Sequence, residues 1–243
     1  MQTTDKTLPA QLDVRALRAA AVLYALLVVT SIFGFFLPQT LVVADDATAT
    51  AHKILASEGL FRVALLSGLI ASIAEVFLAW ALYRLLSGVN KSQASLMVIL
   101  ALLSVPISFL GTIDQVASLT LLHGGRGLSG LGATQVNALA TFFMSLSSDT
   151  SSVNSIFFGL WLLPFALLVI KSGFIPRFLG YLQIIAGAAY VVGAINFLLS
   201  PPFAGVVSTV VGVGYFGELG VVVWLMINAV QLQISEFSEV KKW

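Results

Sequence analysis

Cysteine is absent from the 243-residue chain, and histidine occurs only as His52 and His123. Disulfides, thiolate metal centres and a cysteine nucleophile are therefore excluded, and two histidines cannot make a multi-histidine metal cluster. Charge is scarce as well: Asp, Glu, Lys and Arg make up 9% of the residues, where water-soluble folds carry about a quarter. Hydrophobic residues make up 58%, and the mean hydropathy is +1.00. A chain of this composition belongs in lipid. No glycine-rich phosphate loop follows a strand pattern, and the basic residues are dispersed, so neither a soluble cofactor nor nucleic acid is expected.

A bilayer core about 30 Å thick takes roughly 20 apolar residues per helix. By length and flanking charge six runs qualify, at about 17–37, 60–86, 95–122, 153–171, 177–199 and 204–231. The expected fold is all-α, a six-helix transmembrane bundle in which residues 1–243 form a single integral membrane domain. Pro38 follows the first run, and Val42-Val43-Ala44 has the form of a signal-peptidase site. The run is long for a signal h-region, so it reads as a membrane span. Short amphipathic helices are expected in the two longer loops. One covers residues 47–58, along the membrane surface; the other covers 134–147, where Val136, Leu139, Ala140, Phe143 and Leu146 recur at helical spacing. The second follows a glycine-rich turn from Gly124 to Gly132 and is expected to lie in the interface or fold back into the bundle.

Orientation follows from lysine and arginine. With the N-terminus inside, Lys6, Arg15, Arg18, Arg84, Lys91, Lys171, Arg177, Lys241 and Lys242 are cytoplasmic, leaving Lys53, Arg62 and Arg126 outside. That bias predicts both termini in the cytoplasm and the longer loops on the outer side of a cell membrane.

The polar residues within the spans carry the functional signal. Glu75, Asp114 and Glu218 are carboxylates where a bilayer would surround them. No lysine or arginine lies deep in a span, so each acid is expected to hold a proton, because burial disfavours the charged form. In the third span Ser104, Ser108, Gly111, Gln115 and Ser118 follow at intervals of four and three, on one helical face beside Asp114. Gly68, Ala71, Ser72, Glu75 and Ala79 form a similar stripe in the second span, and Gly214, Gly217 and Gly220 surround Glu218 in the sixth. Tyr190 and Asn196 add polar groups in the fifth, and Asn154 opens the fourth. The candidate intramembrane polar site is Glu75, Asp114, Gln115, Glu218, Ser72, Ser118 and Tyr190. A lone intramembrane acid is equally well explained as a neutral carboxyl hydrogen-bonded across a helix interface, and the glycines as packing devices.

Ser57 to Arg62 and Ser172 to Arg177 each place Ser and Arg five residues apart before an apolar helix. An inverted repeat of spans one to three and four to six would produce this. So would an ordinary helix start, with a Ser cap and a flanking Arg.

The run Ser57–Arg62, the acid Glu75, the segment Lys171-Ser172-Gly173-Phe174-Ile175-Pro176-Arg177, and Gly217-Glu218-Leu219 leading to Trp224-Leu225 together resemble the prokaryotic membrane proteins grouped as domain-of-unknown-function family 4386. The resemblance covers nearly the whole chain. It implies a six-helix integral membrane domain, mostly bacterial, with no established activity, substrate or cofactor. Two roles fit the residues. One is a transporter in which Glu75, Asp114 and Glu218 line a shared polar cavity between helices, one or more of them exchanging protons as a small apolar or cationic solute crosses. The other is an accessory or scaffold subunit whose small-residue faces pack against another membrane protein. An intramembrane enzyme is the weaker third reading, since the chain shows neither a Ser-His-Asp constellation nor metal ligands.

Overall fold

The computed structural model describes residues 13–125, 130–199 and 218–231. All regular structure among them is helical: α1 (Val14–Thr40), α2 (Ala47–Ala56), α3 (Glu58–Leu86), α4 (Lys91–Leu122), α5 (Ala133–Ser172), α6 (Arg177–Leu199) and α7 (Glu218–Gln231). Five of these, α1 and α3 to α6, are long and apolar enough to cross a membrane. The expected sixth span, 204–231, begins outside the described residues, and of it α7 covers only Glu218–Gln231, a shorter apolar helix.

One expectation is corrected. Residues 134–147 are not a separate loop helix but the N-terminal part of α5, which runs unbroken for 40 residues. No glycine or proline occurs between Ala133 and Phe158 to interrupt it, and the Gln135 side chain accepts the Gly132 N–H at 2.8 Å, closing the first turn. At 1.5 Å per residue α5 is about 60 Å long, twice a bilayer core.

Residues Ala47–Ala56 form the short helix α2, against an expected extent of 47–58. The Asp46 carboxylate caps α2 by accepting the Ala49 N–H at 2.8 Å, and the Thr50 hydroxyl ties the loop by accepting the Val43 N–H at 2.9 Å. Its Ile54 packs with Leu41, Phe61, Leu119 and Met144, while His52 and Lys53 are exposed. The Ser57 and Ser172 runs are built differently. Ser57 joins α2 directly to α3, with the Phe61 N–H bonded to its carbonyl. Ser172 ends α5, its hydroxyl accepting the Ile175 N–H at 3.2 Å, and Gly173 then takes a φ of +76° that favours glycine.

The chain packs as two compact units. The first comprises the described parts of Met1–Ala25, Val76–Leu102 and Ser155–Trp243; the second comprises Leu26–Glu75 and Leu103–Asn154. In the first, α5 and α6 meet with almost no space between backbones at Gly159 and Gly187. Asp13 caps α1 by accepting the Ala16 N–H at 2.9 Å and pairs with Arg84 at 2.6 Å, whose guanidinium also lies 5.2 Å from the Trp80 ring centroid. The Ala16 N–H first, and the Arg84 charge behind it, hold the Asp13 carboxyl below the ordinary carboxylate range, against a desolvation that acts the other way. The contribution is therefore complete above the ordinary aspartate pKa and disappears as the pH falls from there through the depressed value. Asp13→Ala should cost about 1 kcal/mol, the usual worth of an N-cap. Thermal melts at neutral pH and at a pH below the depressed value should show a difference from wild type only in the first.

In the second unit three helices run antiparallel in a steady register. α3 meets α4 where Glu58 faces His123 at 3.1 Å, where Gly68 faces Thr112, and where Glu75 meets Ser104. α1 crosses α3 where Gly34 lies against Gly68. The α1 backbone widens there into a π-helical stretch, Ile32–Phe36.

Candidate functional site

The second unit holds the most complete polar cluster. Glu75 lies 17 residues into α3 and 11 from its end, about 25 Å and 16 Å along the axis, which is deep in any bilayer the helix crosses. It is 4% exposed. Ser104 on α4 donates its hydroxyl to Glu75 Oε1 at 2.5 Å, the short distance typical of a hydroxyl on a carboxylate. Asn154 on α5, 1% exposed, anchors the cluster from the third side: its Nδ2 donates to the Ser104 carbonyl at 3.1 Å and to Ser108 Oγ at 2.9 Å. The Ser104 carbonyl accepts only, so it fixes which end of the Asn154 amide faces it. Asn154 Oδ1 is left buried without a hydrogen-bond partner. Ser72, one turn before Glu75, is also buried, but its hydroxyl bonds back to the Gly68 carbonyl at 3.1 Å. That is a local satisfaction, common for serine inside helices.

Further along α4 the small polar face meets α5. Asp114 is half-buried, with the Thr150 hydroxyl 3.5 Å from its Oδ2. It lies ten residues beyond Ser104, about 15 Å along the helix. Gln115 is 5% exposed and donates to Ser147 Oγ at 3.0 Å. Gly111 sits opposite Ser147 and Thr150, and the Ser118 hydroxyl is fully buried with no partner. Pro106 lies inside α4 within this stretch.

The first unit holds the other acid. Tyr24 on α1, 0% exposed, donates its hydroxyl to Glu218 Oε2 at 3.3 Å, and Tyr190 on α6 hydrogen-bonds the same carboxyl. The Tyr190 carbonyl accepts the Ser155 hydroxyl at 3.3 Å, and the Phe158 ring lies against the Tyr190 ring at 6.4 Å between centroids. The candidate residues therefore distribute over three settings: Ser72 and Glu75 in the α3–α4–α5 cluster, Asp114, Gln115 and Ser118 along the α4–α5 interface, and Tyr190 with Glu218 in the first unit.

Tyr24 was not singled out as a site residue from the sequence. Its signal was present, as the one tyrosine in the first apolar run. Ser104, Ser108 and Asn154 are visible in the sequence as polar points, and their convergence on Glu75 comes from the register of three helices. Among the described residues no group of three or more His, Cys, Asp or Glu side chains is placed to hold a metal ion.

The model of the family described as "Domain of unknown function (DUF4386)" matches residues 19–229. No curated protein and no solved structure matches the chain.

Proposed function

Since the chain belongs to the DUF4386 family, a domain of unknown function, we propose its role from the chemistry of its buried acids: a multi-pass membrane transporter of a small solute, coupled to protons through intramembrane carboxylates. Both termini lie in the cytoplasm, in keeping with the lysine and arginine bias, and the membrane is a cell membrane. The observation that carries the reading is the Glu75 cluster. A carboxyl 4% exposed, gripped by Ser104 and backed by Asn154, sits at mid-helix in a span of mean apolar character. An ionisable group at that depth is costly to keep and is retained where it does work. A carboxyl alternating between protonated and charged forms is the simplest proton carrier such a site can offer.

The accessory-subunit reading calls for a broad small-residue surface turned outward. The closest backbone approaches, at Gly34, Gly159, Gly180 and Gly187, are instead internal. The outward-facing residues include large ones such as Val22, Phe77, Trp80, Ile113 and Phe142, which suit lipid.

The test is uptake by reconstituted protein of a panel of small apolar and cationic solutes under an imposed pH gradient. At least one solute is expected to accumulate, collapse with a protonophore, and fall at least about tenfold in Glu75→Gln, the loss expected when an essential proton site cannot ionise. Glu75→Asp should retain part of the activity. If Glu75→Gln transports normally, or if it simply fails to fold while no solute is moved by the wild type, the acid is structural and the transporter reading fails.

A further inference from the structure

The α4–α5 interface of the second unit carries more polarity than its packing satisfies. From the Glu75 cluster outward it presents, on facing helices, Asn154 with Ser108, then Gln115 with Ser147, and then Ser118. Ser108 to Ser118 is ten residues, about 15 Å. Two of these side chains hold a buried atom with no hydrogen-bond partner: Asn154 Oδ1 and Ser118 Oγ. Asn154 and Ser118 are 1% and 0% exposed, so neither reaches solvent in this conformation.

An orphaned buried polar group costs roughly 1–3 kcal/mol, and water is its usual partner. Two along one interface lower the free energy of any state in which the helices part enough to wet it. That parting must give up the Gln115–Ser147 bond, but it has two weak points. Gly111 sits opposite Ser147 with no side chain of its own, and Pro106 removes an N–H from the α4 ladder just beyond Ser104. Leu119 and Met144 close the interface within a cluster that also holds Leu41, Ile54 and Phe61, and methionine is its flexible member.

We propose that this interface is the access path by which water, and protons with it, reaches Glu75 from the Leu122 end of α4. The structure shows the path in its closed state. The proposal rests on the reading of Glu75 as a proton carrier and adds the side from which it is loaded.

The natural absence of cysteine makes a direct test available, because every introduced thiol is the sole one in the protein. Ser118→Cys and Ser147→Cys are near-isosteric replacements. Val116→Cys and Ile113→Cys, 46% and 59% exposed on the apolar side of α4, serve as lipid-facing references, and His123→Cys marks the Leu122 end. Each variant is reconstituted and treated from one side, then the other, with a membrane-impermeant cationic methanethiosulfonate, which reacts with the thiolate and so needs water at the sulfur. Ser118→Cys and Ser147→Cys should be modified from the side that labels His123→Cys, at least about tenfold faster than the references, a ratio of the size that one unit of thiol pKa produces. Reaction as slow as that of Val116→Cys, or from the opposite side only, would overturn the path. Labelling is read without uptake, so the two ideas separate. A reactive interface in a protein whose flux ignores Glu75→Gln keeps the path and removes the transporter; an inert one with Glu75-dependent uptake does the reverse.

Discussion

Gly159→Val is expected to leave little folded protein. A Cβ at Gly159 would stand 2.5 Å from the Gly187 carbonyl oxygen and 2.9 Å from the Val191 nitrogen, and a Cβ at Gly187 would stand 2.8 Å from the Gly159 carbonyl oxygen. These neighbours are backbone atoms, which cannot rotate aside as a side-chain tip can. Relief requires α5 and α6 to separate by about 1 Å along their contact, which forfeits dispersion contacts over several turns. Overpacking of this kind costs about 3 kcal/mol for valine, and alanine should cost about 2. Thermal melts and the yield of monodisperse protein in detergent measure both. Gly59→Ala is the matched control: nothing lies within 4 Å of its Cβ position, and it sits within the first turn of α3. That change should be neutral or stabilise by up to about 1 kcal/mol through the unfolded chain. If Gly159→Ala melts like Gly59→Ala, the close crossing of α5 and α6 is wrong.

The second large effect is an asymmetry between two glycines that touch. Gly34→Ala should destabilise by about 2 kcal/mol or more, because its Cβ would fall 2.6 Å from both the Cα and the nitrogen of Gly68. Gly68→Ala, its partner in the same contact, should be tolerated. Its Cβ would meet Thr112 Oγ1 at 3.6 Å and the Gly34 Cα at 3.9 Å, both ordinary separations. The reason is direction: the Gly34 Cβ vector points at the α3 backbone, and the Gly68 vector points past α1 toward α4. A generic small-residue crossing would penalise the two substitutions alike. Equal losses in the melts of the two alanine variants would therefore contradict the geometry described here.

What was legible from sequence was periodic. The four-three-four-three spacing of Ser104, Ser108, Gly111, Gln115 and Ser118 marks one face of α4, and the serines and glutamine are all at most 6% exposed. A helix repeat carries that information locally, so no partner is needed to read it. The limits of α5 were not legible. A bilayer-length rule stops a span near 20 residues, so 134–147 reads as a separate amphipathic segment ahead of a span that begins near 153. In the helix the hydroxyls of Ser145, Ser151 and Ser152 bond back to carbonyls four residues earlier, so those residues do not break it. The meeting of Glu75 with Ser104 and Asn154 was out of reach for another reason. Nothing local distinguishes a serine that faces an acid from one that faces a methyl group; the register between helices decides it, and three helices must be aligned before it appears.

The widened turn at Ile32–Phe36 constrains how this helix can change length over evolutionary time. Such a turn accommodates one residue more than the regular repeat, so losing any one of the five would restore an uninterrupted α-helix rather than break it. Five residues of the wide turn sweep about the same angle as four of a regular helix, so the segments on either side would keep their bearings. Thr30, now 9% exposed, would face as it does now, and so would Pro38 and Leu41. A one-residue deletion here would thus be absorbed without re-aiming either half, whereas the same loss elsewhere in α1 would turn one half by about 100° against the other.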